Sequence, residues 1–527
     1  MVHHIPINRR YKILNHIGEG GMGAVYQAWD RLTRSSVALK SVRIPQEPQR
    51  LNQNQTALYD GGINLDHTFL YEETATEKLL SLAHEFQILS TLRHPNIISV
   101  IDYGFSVEGA PFYTMDYLKD GTPIDQIGRS APFQTQIQLI EEMLQALTYL
   151  HRRDILHRDL KPGNVLVSAG KTKVLDFGLS NLKDKGYTSG GTLAYLAPEL
   201  VQGREASAAS DLYAVGIIAY EIFAGFLPFE PGQANFLLSV LEEDPQLDYI
   251  EAPAPVINVV RRLLEKQPED RYATAESALF ALSRAANREL PKESIHIRES
   301  FLQAATFTGR EQEEQIVTQH IQQTRVKKGA ALLIGGESGV GKSRLIRETR
   351  TKALVEGLLV LDTQVKEEEG VGFAIWEPAI ERLALEVDLD DHTISVLKPI
   401  APNLETLLER KVADAPALPE DLAEQRLITA ILSLFQDLER GAMVIVEDLH
   451  WYHGDYTFLN RLINLTKELA LVFVGSYRHD EAPSLHKHLP GTKSIRLERF
   501  SPVDIASLSH AMLGEIGLKP EIQTLLM

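Results

Sequence analysis

The sequence predicts a multidomain chain: a small strand-rich part, a larger helical part, and then an α/β unit with a parallel sheet. Short strand-like runs broken by glycine open the chain, at residues 11–17, 24–29 and 36–42. Apolar residues between Ile137 and Leu150 recur at three- and four-residue spacing, which is typical of an amphipathic helix. In the last part, apolar runs alternate with helical stretches, as they do in parallel sheets that helices cover on both faces.

Two connectors divide the chain. Residues 45–76 are polar and contain prolines and glycines, so we expect a long loop inserted before a helix near residues 78–92. Residues 285–300 are charged and typical of an interdomain linker. The predicted domains are therefore residues 11–284 and 301–527. The predicted parallel strands of the second domain lie at residues 331–334, 358–361, 443–446 and 471–474.

Composition excludes several classes of protein. The 527 residues carry a formal net charge of −18, so nucleic-acid binding is not indicated, since it needs clustered positive charge. The chain has no cysteine, which excludes disulfides, thiolate metal sites and a cysteine nucleophile. The apolar runs are too short for a membrane span, and the start lacks the apolar segment of a secretory signal. We therefore expect a soluble, cytoplasmic protein.

A glycine-rich turn lies between the first two predicted strands. Gly18, Gly20 and Gly23 lack a Cβ, so the backbone here is able to approach phosphate groups closely. Such a turn is often only a hairpin, and the motif is weak by itself. Lys40 lies on the next strand, where an ammonium group could hold phosphate oxygens. A single lysine on a strand is usually just solvated, so neither feature indicates a nucleotide site without further motifs.

Three further motifs occur later in the chain in a fixed order. Residues 157–164 read His-Arg-Asp-Leu-Lys-Pro-Gly-Asn, residues 176–178 read Asp-Phe-Gly, and residues 197–199 read Ala-Pro-Glu. With the glycine turn and Lys40, they reproduce the signature set of protein kinases. Over residues 11–284 the chain resembles the eukaryotic-type (Hanks-type) serine/threonine protein kinases in their bacterial form. The resemblance implies a bilobal α+β fold with a small β-rich lobe and a large helical lobe.

The resemblance implies which residues bind ATP. The three glycines cover the nucleotide, and Lys40 holds its phosphates and pairs with a glutamate of the predicted helix. Glu85 is our choice for that partner, and Glu77 is the alternative. The residues expected around adenine are Val25, Ala38, the gatekeeper Met115, and the hinge residues Asp116 and Leu118.

The resemblance also implies the residues of catalysis and control. Asp159 accepts the proton of the substrate hydroxyl, Lys161 steadies the γ-phosphate, and Asn164 and Asp176 bind Mg²⁺. Lys161 at this position is typical of kinases that act on serine and threonine. The residues expected to support the fold are Glu199 and Arg271, as an ion pair, and Asp211, beneath the catalytic loop. We expect Arg158 to bind a phosphorylated activation-loop residue, for which Thr188 and Ser189 are the candidates.

A second nucleotide motif lies in the later domain. Residues 336–343 read Gly-Glu-Ser-Gly-Val-Gly-Lys-Ser, which fits the P-loop pattern between a predicted strand and a predicted helix. Main-chain N–H groups of the loop from Gly336 to Gly341 and the start of the helix are expected to surround phosphates. Lys342 would reach the β- and γ-phosphates, and Ser343 would bind Mg²⁺.

A hydrophobic strand that ends in two acids lies about 105 residues after the P-loop. Glu447 and Asp448 match the Walker B arrangement, in which one acid joins the Mg²⁺ shell and the other positions a water. Over residues 305–527 the chain resembles the AAA-like ATPase domains of STAND-type signalling proteins. The resemblance implies that Arg478 senses the γ-phosphate, that the helical lid is cut short at Met527, and that the domain is a nucleotide-controlled switch or a platform for self-association.

We therefore predict a cytoplasmic serine/threonine protein kinase that uses ATP and Mg²⁺, acts on protein hydroxyls, and is fused to a regulatory P-loop ATPase domain. One alternative is a pseudokinase scaffold, against which the presence of Lys40, Asp159, Asn164 and Asp176 argues. The other is an ATPase-switch regulator in which kinase activity is secondary. A metal site at His450 and His453 is not expected, because no third ligand is near in the sequence.

Overall fold

The computed structural model describes residues 7–20, 23–42, 81–176, 193–231, 233, 235–289, 309–367 and 372–513. The predicted insert at 45–76 and most of the predicted linker at 285–300 lie outside these residues. Contacts divide the chain into two compact units. One unit gathers Met1–Ala83, Ile101–Met115 and Phe307–Ile505, and the other gathers His84–Val100, Asp116–Thr306 and Ala506–Met527.

A five-stranded sheet forms the small β-rich part. Its strands are β1 (Tyr11–Gly20), β2 (Gly23–Asp30), β3 (Ser35–Ser41), β4 (Val100–Phe105) and β5 (Pro111–Asp116), in the order β1-β2-β3-β5-β4. Strands β1, β2 and β3 are antiparallel, as the glycine-broken runs predict. Alternate residues of these strands enter a small core, which contains Ile7, Tyr11, Ile13, Ala28, Val37, Leu39 and Phe112.

The larger kinase-like part is helical. Its helices are α1 (residues 81–91), α2 (Ile124–Ser130), α3 (Phe133–His151), α4 (Pro198–Val201), α5 (Ala208–Ala224), α6 (Phe236–Glu242), α7 (Ala254–Leu263) and α8 (Ala275–Ala285). Helix α3 buries the periodic residues from Ile137 to Leu150, which confirms the amphipathic prediction. Helix α5 is buried on every side from Ser210 to Phe223, so it forms the centre of this part.

Three short strands lie beside helix α3. They are β6 (Thr122–Pro123), β7 (Val165–Ser168) and β8 (Lys171–Val174), in the order β6-β7-β8 with antiparallel pairing. The loop between α3 and β7 carries the His-Arg-Asp motif, and the Asp-Phe-Gly motif begins directly after β8. The two strands therefore set the distance between the two motifs.

The second domain is built on a parallel sheet. Its strands are β9 (Ala330–Gly335), β10 (Leu359–Gln364), β11 (Ala442–Glu447), β12 (Leu471–Tyr477) and β13 (Lys493–Arg496), in the order β10-β11-β12-β9-β13. Every neighbouring pair is parallel, which confirms the predicted sheet and its four predicted strands. Strand β13 is an additional edge strand that the sequence pattern does not predict.

Helices precede, separate and follow the strands of this sheet along the chain. They are α9 (Glu311–Gln323), α10 (Lys342–Val355), α11 (Glu377–Ala384), α12 (Asp391–Leu397), α13 (Leu404–Leu408), α14 (Glu420–Gln436), α15 (Thr457–Leu465), α16 (Leu485–His488) and α17 (Pro502–Leu513). Because all strands run in one direction, their carboxyl ends meet at one edge, which is where ligands bind in such sheets. Among the residues that the structure describes, no helix is both long and apolar enough to cross a membrane.

Candidate functional site

The glycine-rich turn joins β1 to β2, with Gly20 paired to Gly23 across the two strands. A Cβ at position 23 would lie 2.1 Å from the main-chain oxygen of Ser41, so only glycine allows β2 to approach β3 this closely. At Gly18, by contrast, a Cβ would meet nothing within 4 Å. The backbone at Gly18 is therefore bare, as close contact with phosphates requires.

Strand β3 places the predicted adenine and phosphate residues on one sheet. Lys40 pairs with Val25 of β2, and Ala38 pairs with Gln27, so Val25, Ala38 and Lys40 lie on neighbouring strands. The Lys40 side chain is buried, and its Nζ lies 5.8 Å from the centre of the Tyr113 ring. Burial of a lysine ammonium costs free energy unless the charge is paired, so Lys40 is not an ordinary solvated lysine on a strand.

The predicted partner of Lys40 lies on helix α1. Glu85 is 1% exposed there, which is rare for a glutamate and indicates a specific role. The alternative, Glu77, lies outside the described residues. The gatekeeper Met115 is buried at the end of β5, and Asp116 follows it with its main-chain N–H donating to Ser99 O over 3.0 Å.

The catalytic loop holds the Asp159 carboxylate in a fixed position. Lys161 Nζ donates to Asp159 Oδ2 over 3.0 Å, and Asn164 Nδ2 donates to the same oxygen over 3.2 Å. Asn164 Nδ2 also donates to the main-chain oxygen of Asp159 over 2.8 Å. The three predicted residues thus form one cluster in which the carboxylate is oriented by two donors.

Asp211 supports the catalytic loop from beneath, as the resemblance implies. Its carboxylate accepts from the main-chain N–H groups of His157 and Arg158, both over 2.9 Å. His151 Nε2 lies 2.8 Å from the same carboxylate. Burial acts to raise the pKa of Asp211, but the hydrogen bond and charge of His151 lower it below its ordinary value. The carboxylate therefore stays ionised while it holds Arg158 in a left-handed conformation with φ of 65°.

The predicted Mg²⁺ ligands Asn164 and Asp176 lie at the ends of the β7–β8 hairpin. The main-chain N–H of Leu175 donates to Asn164 O over 2.8 Å, so Asp176 follows directly after a residue bonded to Asn164. His157 is fully buried below them, with one ring nitrogen 2.9 Å from Leu175 O, and burial lowers its pKa. Amide and carboxylate oxygens are the ligand types that Mg²⁺ prefers, so this donor set fits the ion.

Glu199 and Arg271 form the predicted ion pair. Arg271 Nη1 and Nη2 donate to the two Glu199 carboxylate oxygens, both over 2.8 Å, and the Arg271 side chain is 0% exposed. Ser210 Oγ adds a third hydrogen bond to the carboxylate at 2.7 Å. Burial acts to raise the pKa of Glu199, but Arg271 and Ser210 lower it below its ordinary value. The activation-loop candidates Thr188 and Ser189 lie outside the described residues.

The P-loop follows β9 and leads into helix α10. Gly341 has φ of 100° directly before the helix, a conformation that favours glycine. Lys342 Nζ donates to the main-chain oxygens of Gly336 and Glu337, over 2.9 and 2.7 Å. Burial and the charge of Arg478 lower the pKa of Lys342. The lysine is thus folded over its own loop, at the position where the motif places phosphates.

The two acids after β11 reach the P-loop. Ser343 Oγ donates to Glu447 Oε2 over 3.0 Å, which joins the predicted Mg²⁺ ligand to the Walker B strand. Asp448 accepts a hydrogen bond from Gln364 Nε2 at the end of β10 over 2.8 Å, and its N–H donates to Ser476 Oγ over 3.2 Å. Burial, with smaller contributions from Asp448 and Asp362, raises the pKa of Glu447. Hydroxyl and carboxylate oxygens at this edge of the sheet fit Mg²⁺.

The predicted sensor Arg478 follows β12 at the same edge. Its Nη1 donates to Glu481 Oε1 over 2.6 Å, and its guanidinium lies 5.6 Å from the centre of the Trp451 ring. His450 is buried beside them, with Nε2 3.5 Å from Glu481, and burial lowers its pKa. Within the described part of the chain, no group of three or more His, Cys, Asp or Glu side chains is arranged to hold a metal ion.

Sequence patterns miss several polar residues that orient this second site. Gln364 holds Asp448, and Arg499 Nε and Nη2 donate to Glu337 of the P-loop over 2.8 and 2.6 Å. Gln364 could have been found, because it is a polar residue at the carboxyl end of a predicted parallel strand. Arg499 lies in an irregular segment without a motif, so no local signal identifies it.

Comparison with known proteins assigns families to both parts. Residues 68–280 match the protein kinase domain family, and residues 306–474 match the AAA ATPase domain family. The first match begins within the predicted insert, so the glycine turn and Lys40 precede it. Both families use ATP with Mg²⁺.

Several relatives of the first part are named as serine/threonine-protein kinases of bacteria. Serine/threonine-protein kinase pkn3 of Myxococcus xanthus is 32% identical over 292 residues, which cover 51% of this chain and 48% of pkn3. Serine/threonine-protein kinase PrkC of Bacillus subtilis is 31% identical over 282 residues, which cover 51% of this chain and 39% of PrkC. Serine/threonine-protein kinase PknB of Mycobacterium tuberculosis is 30% identical over 303 residues, which cover 54% of this chain and 44% of PknB.

This chain therefore spans less than half the length of each of these three relatives. Among solved structures, the kinase domain of M. tuberculosis PknI is 23% identical, and the match covers 55% of this chain and 100% of that one with a TM-score of 0.39. An overlap at that score adds nothing to the assignment. The family matches and the bacterial relatives lead to one conclusion: the chain carries a domain of the protein kinase family at residues 68–280, followed by an AAA ATPase domain at residues 306–474.

Proposed function

We propose that this chain is a protein kinase that transfers the γ-phosphate of ATP to serine and threonine hydroxyls of proteins. The observation that carries the proposal is the Asp159 carboxylate, oriented by Lys161 and Asn164 at 3.0 and 3.2 Å. A positioned carboxylate of this kind is able to accept the proton of an attacking hydroxyl. Phosphoryl transfer otherwise asks little covalent chemistry of the protein. The pseudokinase alternative does not explain why these donors converge on one carboxylate oxygen.

Each residue of the first site has a role in this proposal. Lys40 holds the α- and β-phosphates and pairs with Glu85, and the bare backbone around Gly18 covers the nucleotide. Asp159 orients the substrate hydroxyl and takes its proton, while Lys161 stays close enough to neutralise charge on the transferred group. Asn164 and Asp176 would hold Mg²⁺, which would neutralise charge on the phosphates.

Specificity for serine and threonine has two supports. Lys161 lies two residues after Asp159, as is typical of kinases that act on these hydroxyls. The relatives in Myxococcus, Bacillus and Mycobacterium are all named serine/threonine-protein kinases. That the substrates are proteins, and that the chain lies in the cytoplasm, are predictions from the sequence.

We further propose that the AAA domain is a nucleotide-controlled switch of the STAND type rather than a fast ATPase. The contacts of Lys342 with the P-loop and of Ser343 with Glu447 support a nucleotide site with its own Mg²⁺ ligands. Arg478 is held by Glu481 beside the site, where it is available to sense a γ-phosphate. Self-association through this domain is part of the proposal and depends on the nucleotide state.

The test is autophosphorylation of the full chain with labelled ATP and Mg²⁺. Asp159→Asn should reduce transfer by about 10²- to 10⁴-fold, because it removes the proton acceptor, while ATP binding stays unchanged. Asp248→Asn, at an exposed surface position of the same domain, is the matched control and should keep full activity. If wild type bound ATP but transferred no phosphate, the pseudokinase alternative would replace this proposal.

A further inference from the structure

A buried cluster of charges joins the small five-stranded sheet to the ATPase domain. Both belong to the same compact unit. Arg10, just before β1, donates through Nε and Nη2 to Asp30 over 2.8 and 2.7 Å, and through Nη1 to Asp102 over 2.5 Å. Arg382 of helix α11 in the ATPase domain contacts the same Asp102 oxygen at 2.9 Å. Asp102 thus lies between one arginine of each domain.

The buried charges on the sheet side of this cluster do not balance without the second arginine. The Asp30 and Asp102 side chains are 0% and 8% exposed, and among the described residues of the sheet only Arg10 forms an ion pair with both of them. Two buried carboxylates against one guanidinium leave a net negative charge, and a buried charge without compensation is strongly destabilising. Arg382, whose side chain is 13% exposed, supplies the missing positive charge.

A third pair of charges lies close to this cluster without disturbing its balance. Arg350 of α10 donates to Asp362 over 2.8 Å. Burial acts to lower the pKa of Arg350, but Asp362 and, more weakly, Asp102 raise it overall. With this pair included, the group contains three cations and three anions, of which Arg10, Asp30 and Asp102 come from the sheet.

Further polar contacts surround the buried cluster. In each of them, an arginine next to a strand of the sheet donates to an acceptor of the ATPase domain. Arg9 contacts Asp388 at 2.6 Å and donates to Val387 O over 3.1 Å. Arg34 Nη2 donates to Asn403 Oδ1 over 2.9 Å. We call Arg9, Arg31 and Arg34 the arginine edge.

The acceptors for the third arginine of this edge lie on the same ATPase segment. Arg31 donates to the main-chain oxygen of Leu407 and lies 3.4 Å from Glu409. Between the polar contacts, Leu32 packs against the hydrophobic core of the ATPase domain. The contact thus consists of a buried ionic centre, an apolar contact at Leu32 and a polar rim.

We propose that residues 377–410 of the ATPase domain form a docking surface for the small kinase sheet, with the Arg382–Asp102 pair as its buried anchor. The ATPase domain therefore holds the sheet that carries Lys40. Helix α11 packs on β10, and Gln364 at the end of β10 bonds Asp448 of the nucleotide site. Strand β10 thus contacts both the docking surface and the second nucleotide site.

The absence of cysteine from the chain makes a direct test simple. The full chain with Arg9→Cys and Asp388→Cys, positions in contact at the rim, is treated with a short bismaleimide and analysed by mass spectrometry. Most molecules should carry an intramolecular crosslink, and neither single-cysteine variant should carry one. Full labelling of both cysteines without a crosslink would overturn the proposal.

A second pair of variants tests the buried anchor. Arg382→Glu places a second acid against Asp102, so the crosslink yield should fall at least about tenfold. Arg461→Glu, an exposed arginine on α15 of the same domain, should leave the yield unchanged. Nucleotide binding at the P-loop, measured by calorimetry, checks that the ATPase domain of each variant is folded. An unchanged yield in a folded Arg382→Glu protein would show that Arg382 does not anchor the sheet.

Discussion

At the scale of single residues, the charged side chains that support the fold of the kinase part are buried together with their partners. Glu199 and Arg271 are joined by two hydrogen bonds of 2.8 Å, and Asp211 is joined to His151 and to two main-chain N–H groups. Removing one member of such a pair costs more than the pair contributes, because the other charge stays buried alone. Asp211 supports the catalytic loop, and Glu199 and Arg271 support the fold around it, so we expect the loss of any of them to appear first as instability.

Arg271→Met should lower the free energy of unfolding of the kinase part by about 3–5 kcal/mol, because it leaves the Glu199 carboxylate buried without a partner. Thermal and urea unfolding of the full chain measure this loss. Arg152→Met is the matched control, since Arg152 pairs with Glu276 at a largely exposed position. Its effect should stay below about 1 kcal/mol. Equal effects of the two substitutions would contradict the role given to burial.

The same pair makes a prediction about pH. In wild type the Glu199 pKa lies below its ordinary value, so the pair stabilises the fold at neutral pH and loses that contribution as pH falls through the lowered pKa. In Arg271→Met, burial without the arginine raises the pKa of Glu199. As pH falls, protonation of Glu199 removes the unpaired buried charge, so the variant loses less stability. The difference in Tm between wild type and Arg271→Met should therefore shrink between about pH 7 and about pH 4. A difference that grows in that range would reverse the assigned sign.

At the scale of elements, the predictions that succeeded rest on strong local patterns. Strand β9, the P-loop and helix α10 follow one another as the motif requires. The apolar run forms a buried strand, and the glycines after it form the loop that leads into the helix. Sequence patterns do not predict strand β13, because it has four residues, of which only Ile495 is apolar, and it lies at the edge of the sheet. The partners of Asp102 were also missed, since a pairing between Arg382 and Asp102 depends on tertiary contacts that no local pattern records.

Helix α10 offers an element-scale prediction, because residues at both of its ends have left-handed backbone. Gly341 before the helix has φ of 100°, and Gly357 after it has φ of 86°. A Cβ at either position adds about 1–3 kcal/mol of strain. Gly341→Ala should weaken nucleotide binding at the P-loop by about 5- to 150-fold, because the strain falls on the loop that surrounds phosphates.

Gly357→Ala is the matched control for that prediction. It should lower stability by a similar amount, yet it should leave nucleotide affinity unchanged, because it lies at the far end of α10. Both affinities are measured by calorimetry in the Lys40→Met background, which removes the kinase site. Equal losses of affinity would mean that Gly341 acts only through general stability and that the P-loop conformation is not specific.

At the scale of the whole molecule, two proposed nucleotide sites lie on one chain, and each has its own lysine and its own candidate oxygen ligands. Lys40 belongs to the first, and Lys342, Ser343 and Glu447 to the second. The proposed docking surface would let the state of the second site reach the kinase sheet through domain contacts. Coupling of this kind is typically worth about 1–3 kcal/mol, which changes a rate without abolishing it.

Nucleotide stoichiometry of the full chain tests this arrangement. Calorimetry should find two sites in wild type and one in each of Lys40→Met and Lys342→Ala, because each lysine serves only its own phosphates. Lys40→Met should abolish protein phosphorylation. Lys342→Ala should change the rate of autophosphorylation by at most about 150-fold, since its effect must pass between domains. A single wild-type site that disappears only with Lys40→Met would mean that the P-loop does not bind nucleotide here, and the ATPase domain would then act on the kinase through docking alone.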